Sequence, residues 1–244
     1  MTKRPLIIAH RGASADAPMN TLPAFLLAAE LGADGIEFDV WLSQDGVPVI
    51  LHDSEVDATT NGRGHVWDLT LSQLKQLDAG SWKGSSFAET QIPTLDEVFS
   101  AVGARFRLIN VEIKSADGMM QGVEAAVHAA IIRHRLSDRV LVSSFDPRVL
   151  QRFGALTQTI PIGFLEWDGT TPEIYALAKL IRHEALHPSY TQVNLAYMQR
   201  ARDSGRKVNT WTVNDAHDAL RLAELGVDAV ITDLPDQIKK VFAR

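Results

Sequence analysis

The sequence predicts a (β/α)8 TIM barrel, and three observations carry that prediction. Short β-rich runs alternate with segments of helical period from one end of the chain to the other, the pattern of a parallel α/β architecture rather than of a sandwich or a bundle. Eight such runs are followed in turn by eight helical segments. The chain has 244 residues, close to the about 250 typical of that barrel. A doubly wound sheet is the competing arrangement.

In chain order the strands fall at residues 5–10, 35–41, 107–114, 139–145, 160–165, 185–188, 207–213 and 228–233. The helices fall at 21–31, 95–102, 119–135, 147–153, 172–182, 195–203, 215–225 and 235–242. Gly32, Gly205 and Gly226 stand just past three of these helices, where a left-handed residue ends the last turn. The run 185–188 is the shortest, since four residues barely make a strand.

One β-rich run, 47–53, is left over. Asp45-Gly46 between apolar runs is a two-residue hairpin signal. With that pair at the turn, Gln44 faces Val47, Leu42 faces Val49, Val40 faces Leu51 and Asp39 faces His52, and opposed residues share a face of the sheet. Glu37 and Asp39 lie on one face because side chains alternate along a strand. Residues 54–93 are polar, rich in glycine and serine, and too long for an ordinary βα loop. They read as a small insertion over the C-terminal rim of a single catalytic domain spanning 1–244, with Asn61-Gly62-Arg63-Gly64 as a turn inside it.

Bulk properties narrow the function classes. With 45% hydrophobic and 22% charged residues the chain can bury a sizeable core and is not expected to be disordered. A net charge of −6 and scattered Lys and Arg give no basic footprint, so nucleic acid is not an expected partner. The absence of cysteine leaves only oxygen or imidazole ligands for any metal. The first apolar stretch, residues 6–9, is shorter than the roughly 7–15 residues of a signal peptide or the about 20 of a membrane span. A cytoplasmic protein without stable membrane association is expected; oligomeric state is not indicated.

Chemistry-bearing side chains collect at strand ends. The first strand supplies His10 and Arg11, the second Glu37 and Asp39, its hairpin His52, and the third Glu112 and Lys114. In a barrel these ends converge on the face that carries the active site. Three neighbouring carboxylates repel one another unless a cation lies between them, and an all-oxygen set favours Mg²⁺ or Ca²⁺ over Zn²⁺. Interior acids on a barrel strand need such a reason, because the opposite face is covered by helices. His10 and His52 have the titration range for general acid and base, in either order. Arg11 and Lys114 can neutralise a phosphate, Arg through a two-oxygen fork and Lys as a point charge. Trp211 is a candidate aromatic wall for substrate, and His187 a candidate pocket residue. His65 in the insertion is a weaker candidate, and His128, His134, His183 and His217 are expected at the surface.

The ordered series His10-Arg11-Gly12, Asn20-Thr21, Glu37-x-Asp39, His52-Asp53, Thr59-x-Asn61-Gly62-x-Gly64, Glu112-x-Lys114, Trp211-Thr212-Val213-Asn214 and Ile231-Thr232-Asp233 resembles the glycerophosphodiester phosphodiesterases, in particular their short cytoplasmic bacterial type. The resemblance implies a barrel of the phospholipase-C-like phosphodiesterase type. It implies hydrolysis of a glycerophosphodiester to sn-glycerol 3-phosphate and an alcohol by way of a cyclic phosphate, a route that the residues themselves do not distinguish from direct attack of water. It also implies Glu37, Asp39 and Glu112 as metal ligands, His10 and His52 as the acid–base pair, and Arg11 and Lys114 as phosphate binders. The family usually has glutamate before the Asn-Thr pair, where this chain has Met19; Thr21 remains able to cap the first helix. Alternatives are a lysophospholipase D or sphingomyelinase-D-like activity, for which the insertion offers Val66, Trp67, Trp82 and Phe87 as apolar candidates, and a catalytically silent binding protein.

Overall fold

A computed structural model describes residues 4–116 and 122–243. Its strands are β1 (Leu6–His10), β2 (Gly35–Leu42), β3 (Pro48–Ile50), β4 (Leu108–Ile113), β5 (Val140–Ser144), β6 (Ile162–Glu166), β7 (Ala185–Pro188), β8 (Lys207–Thr210) and β9 (Ala229–Thr232). All except β3 pair in parallel in the order β1-β9-β8-β7-β6-β5-β4-β2, and β1 pairs with β2 to close an eight-stranded barrel. This is the (β/α)8 fold expected from the alternation, and even the four-residue run forms its strand, paired to both neighbours. The doubly wound alternative is excluded by the β1–β2 closure.

The connecting helices are α1 (Leu22–Glu30), α2 (Leu71–Leu74), α3 (Leu95–Val102), α4 (Val123–Arg133), α5 (Pro147–Leu156), α6 (Pro172–Ala178), α7 (Leu195–Asp203), α8 (Ala216–Leu225) and α9 (Pro235–Val241). The start expected for α4, at Met119, lies outside the described residues. α6 ends earlier than expected: past Ala178 the chain turns so that the Arg182 guanidinium donates to the carbonyls of Thr157, Gln158 and Ile160. Thr21 occupies the cap position of α1, but its hydroxyl donates to the Pro18 carbonyl and makes no cap bond, contrary to expectation.

Packing on β2 determines where its acids point. Ile36, Phe38 and Val40 are buried on the outer face, where the Phe38 ring meets Phe25 at 5.4 Å and Phe99 at 6.4 Å between centroids. Burying each such side chain contributes about 1.5–3 kcal/mol. Strand alternation then obliges Glu37 and Asp39 to face the barrel interior. Below them Ile8, Ala229 and Ile231 pack with Leu6, Leu108 and Trp211.

The hairpin corrects the expected register. The turn has three residues, Gln44 to Gly46: Ser43 N–H donates to the Val47 carbonyl at 3.0 Å, and Gly46 takes the left-handed conformation at φ 78°. That is a type I turn followed by a left-handed residue. β2 and β3 therefore pair Val40 with Ile50, Trp41 with Val49 and Leu42 with Pro48, one residue off the expectation. Leu51, not His52, comes opposite Asp39, its N–H donating to the Asp39 carbonyl at 3.2 Å. A one-residue slip moves side chains to the other face, but β3 ends at Ile50 and the chain leaves the strand. Trp41 Nε1 donates to the His52 carbonyl at 3.1 Å and fixes that departure, which turns His52 back toward the acids.

Residues 54–93 contain three short 3-10 turns and α2, capped reciprocally by Thr70 and Gln73. Lys83 Nζ donates to the Ser14 carbonyl at 2.8 Å, tying this segment to the loop after β1.

Candidate active site

The C-terminal ends of β1, β2 and β4 carry the charged cluster. In register, His10 pairs with Glu37 across β1 and β2, and Asp39 pairs with Glu112 across β2 and β4. Glu37, Asp39 and Glu112 are all buried, and each offers a carboxylate oxygen within 4.8 Å of the other two. Lys114 reaches between them, its Nζ 2.8 Å from Asp39 Oδ1 and 2.7 Å from Glu112 Oε1. Arg11 lies on the other side of Asp39, with Nε 3.4 Å from Oδ2, and its backbone N–H donates to Glu37 Oε2 at 3.1 Å. Asn20, buried in a left-handed conformation, donates from Nδ2 to Asp39 Oδ2 at 2.8 Å.

These contacts divide the acids. For Asp39, burial opposes ionisation, but Lys114, Arg11 and His52 prevail and hold the carboxyl well below the usual range. Burial and the charges of Asp39 and Glu112 push Glu37 well above it. Burial also pushes Glu112 up to about 7, against the pull of Lys114. The two neighbouring carboxylates in turn hold Lys114 charged in spite of its burial. Fully ionised, the three acids would carry more negative charge than Lys114 and Arg11 neutralise, and the upward shifts of Glu37 and Glu112 reflect that excess together with burial.

A hard divalent cation fits this donor set. Oxygen ligands of Mg²⁺ or Ca²⁺ lie roughly 2.0–2.6 Å from the ion, so ligands of one ion fall within about 5 Å of each other, as these three atoms do.

The two histidines flank the acids. His10 Nδ1 is 2.7 Å from Asp233 Oδ1, and Nε2 is 3.9 Å from Glu37 Oε2. His52 Nδ1 is 2.9 Å from Asp53 Oδ1, and burial lowers its pKa although Asp39 opposes the shift. A cavity of about 170 Å³ is lined by His10, Arg11, Glu37, His52, Glu112 and Lys114, with Trp211, Phe145 and Leu165 as its apolar wall. The Trp211 indole is fixed there, donating from Nε1 to the His187 carbonyl at 2.8 Å and meeting Phe145 edge-on.

Every sequence-predicted site residue except Asp39 lines this cavity, and Asp39 is held beneath it by Lys114, Arg11 and Asn20. Other candidates fall away. His187 is fully buried and accepts from Asn209 rather than lining the cavity. His65 stacks on Trp67 at 4.6 Å. His183, expected at the surface, is buried against Phe164. Of the insertion's apolar candidates, Val66 is buried, Trp67 packs on Trp41, and only Trp82 is largely exposed. Residues without an assigned role in the sequence reading also belong to the cluster: Asn20, Ser14, Asn214 and Asp233. Asn20, Asn214 and Asp233 stand in the ordered motif series, in its Asn20-Thr21, Trp211 to Asn214 and Ile231 to Asp233 stretches, whereas Ser14 carries no sequence signal.

A parallel barrel with acids, histidines and cations gathered at its C-terminal rim is built as a phosphodiester hydrolase is built. The glycerophosphoryl diester phosphodiesterase family matches residues 10–237, and the chain belongs to that family. It is 41% identical over 233 residues to a glycerophosphodiester phosphodiesterase of Caldanaerobacter subterraneus, covering 96% of each chain. It is 35% identical to another from Bacillus altitudinis, covering 99% of this chain and 98% of that one. Among solved structures, it superposes with a TM-score of 0.89 and 34% identity on an Oleispira antarctica phosphodiesterase in complex with the product sn-glycerol-3-phosphate, covering 99% of this chain and 98% of that one. Among the described residues, no helix is long and apolar enough to cross a membrane.

Proposed function

We propose that this chain hydrolyses glycerophosphodiesters to sn-glycerol 3-phosphate and an alcohol in a metal-dependent reaction. The observation that carries the reading is the cavity at the ends of β1, β2 and β4, where two histidines, two cations and the acid cluster meet. Its support from outside is the Oleispira protein's complex with sn-glycerol-3-phosphate.

In this reading Glu37, Asp39 and Glu112 hold Mg²⁺ or Ca²⁺, which when bound neutralises charge on a phosphate oxygen. Arg11 and Lys114 bind the phosphate, and Trp211 walls the cavity against the organic group. One imidazole of the His10–His52 pair takes the proton of the attacking O–H as its oxygen bonds to phosphorus. The other gives a proton to the alkoxide oxygen as its P–O bond breaks. The attacking group is the glycerol 2-hydroxyl, with water opening the resulting cyclic ester, or water itself. A substrate lacking the 2-hydroxyl separates these routes: it is inert on the first and turns over on the second.

The segment 54–93 covers the rim, tied to the loop after β1 through Lys83. The absence of cysteine fits a reducing cytoplasm. The test is a coupled assay for sn-glycerol 3-phosphate over glycerophosphodiesters with different alcohol groups. Release of that product from several of them is expected. Absence of turnover on all of them, with Mg²⁺ and Ca²⁺ each supplied, overturns the reading.

A further inference from the structure

Asn214, Thr232 and Asp233 recur in the motif series but take no part in the reaction just proposed, and all three converge on His10. The Asp233 carboxylate faces His10 Nδ1 at 2.7 Å. The same Oδ1 accepts from Ser14 Oγ at 2.9 Å, and Oδ2 accepts from Asn214 Nδ2 at 2.6 Å. Asn214 is itself fixed, because its Oδ1 accepts from Thr232 Oγ1 at 3.0 Å and from the Asp233 backbone N–H at 2.9 Å. The Asp233 carbonyl accepts from Ala15 N–H at 3.2 Å. Lys83 closes the circuit on the Ser14 carbonyl. Ser14 and Asn214 thus hold one carboxylate against one imidazole nitrogen, and four further contacts brace them.

We infer that Asp233 is the positioning residue of His10: by accepting from Nδ1–H it fixes the tautomer and ring orientation that present Nε2 to the phosphate. A carboxylate on one ring nitrogen determines which nitrogen bears the proton and leaves the other free to act. The geometry has that form, with Nε2 on the cavity side, 3.9 Å from Glu37 Oε2. Among the described residues, the carboxylate on His52 is less firmly held. The partner of His52 Nδ1 is the neighbouring Asp53, whose side chain is 48% exposed against 31% for Asp233. The inference rests on the acid–base role proposed for His10.

The experiment combines steady-state kinetics, thermal unfolding and ¹⁵N NMR of the imidazoles on the full chain with Mg²⁺. Asp233→Asn keeps the size of the side chain but can donate to Nδ1 and so favours the opposite tautomer. It is expected to lower kcat about 10²-fold or more with KM within about threefold, as for other carboxylates that orient a histidine. The neutral His10 ring is expected to carry its proton on Nδ1 in the wild type and on Nε2 in Asp233→Asn. Asn214→Ala, which keeps the carboxylate but frees it, is expected to give a smaller loss of kcat at unchanged KM. Wild-type kcat in Asp233→Asn, alongside an inactive His10→Ala, overturns the inference while leaving the role of His10 standing. An unchanged tautomer with a lowered melting temperature also overturns it, reducing Asp233 to a structural contact. Wild-type turnover in His10→Ala overturns the reading beneath it.

Discussion

The two sides of the barrel interior bury polar groups in opposite ways. Along β1, β2 and β4 the interior holds three acids and a lysine that shift one another's ionisation and open onto a cavity. Along β7 and β8 it holds His187 and Asn209, both buried, with the amide 3.0 Å from His187 Nε2 and, among the described residues, no charged group shifting the imidazole. Burial alone pushes His187 down to about 3, so it is neutral at any ordinary pH. A histidine at a strand end is therefore no guide to chemistry by itself. What separates His10 and His52 from His187 is the company of carboxylates and an open space in front of the ring.

The comparison is broken most severely by removing the charge on the active side. Excess chelator is expected to abolish turnover, and Mg²⁺ or Ca²⁺ to restore it; full activity in chelator rejects the metal reading. Glu37→Gln is expected to raise the metal concentration needed for half-maximal activity by at least the roughly 10–100-fold seen when a ligand's support is lost, and an unchanged titration removes Glu37 from the ligand set. His52→Ala is expected to cost about 10²–10⁴-fold in kcat, with thermal stability nearly intact because the ring is partly exposed. Wild-type turnover in that variant rejects His52 as acid or base.

The quiet side answers to pH through stability rather than rate. An unfolded histidine has a pKa near 6.5, whereas folded His187 lies at about 3. Below about pH 6.5 the unfolded chain binds a proton that the folded chain refuses, so stability is full above that pH and falls as pH drops toward 3. At pH 5 the loss is about 2 kcal/mol. His187→Leu lacks this term, so its denaturation free energy is expected to have a shallower slope between pH 7 and pH 5 than the wild type. Equal slopes mean that His187 contributes nothing to acid lability.

The smallest effect is expected at Met19, whose sulfur lies 3.4 Å from Arg11 Nη1. Met19→Glu places a carboxylate beside the guanidinium, and a partly exposed ion pair is worth about 1 kcal/mol or less. KM is expected to change by a few-fold with kcat near wild type; identical kinetics show that the departure from the family pattern is neutral.

Much of the active side was legible in the sequence, for a physical reason. Strand alternation places Glu37 with Asp39, and Glu112 with Lys114, on the inner face whatever surrounds them, and barrel topology brings their strand ends together. The hairpin was read one residue out of register because Asp-Gly marks both two- and three-residue turns, and the choice depends on Ser43 and Gly46 in three dimensions. Yet His52 still arrives, since the strand stops before the error matters. Burial of His183 was hidden because a residue just past a helix has no periodicity to declare its face. The clamp on His10 was hidden by distance along the chain, as its partner lies 223 residues away.

The most direct test of the central claim, that the charged side of the barrel is a metal-assisted glycerophosphodiesterase site, is the release of sn-glycerol 3-phosphate from a glycerophosphodiester by the full chain. Release that requires Mg²⁺ or Ca²⁺ and disappears in a Glu37, Asp39 and Glu112 triple amide variant that remains folded is the predicted result. Undiminished release by that variant contradicts the account.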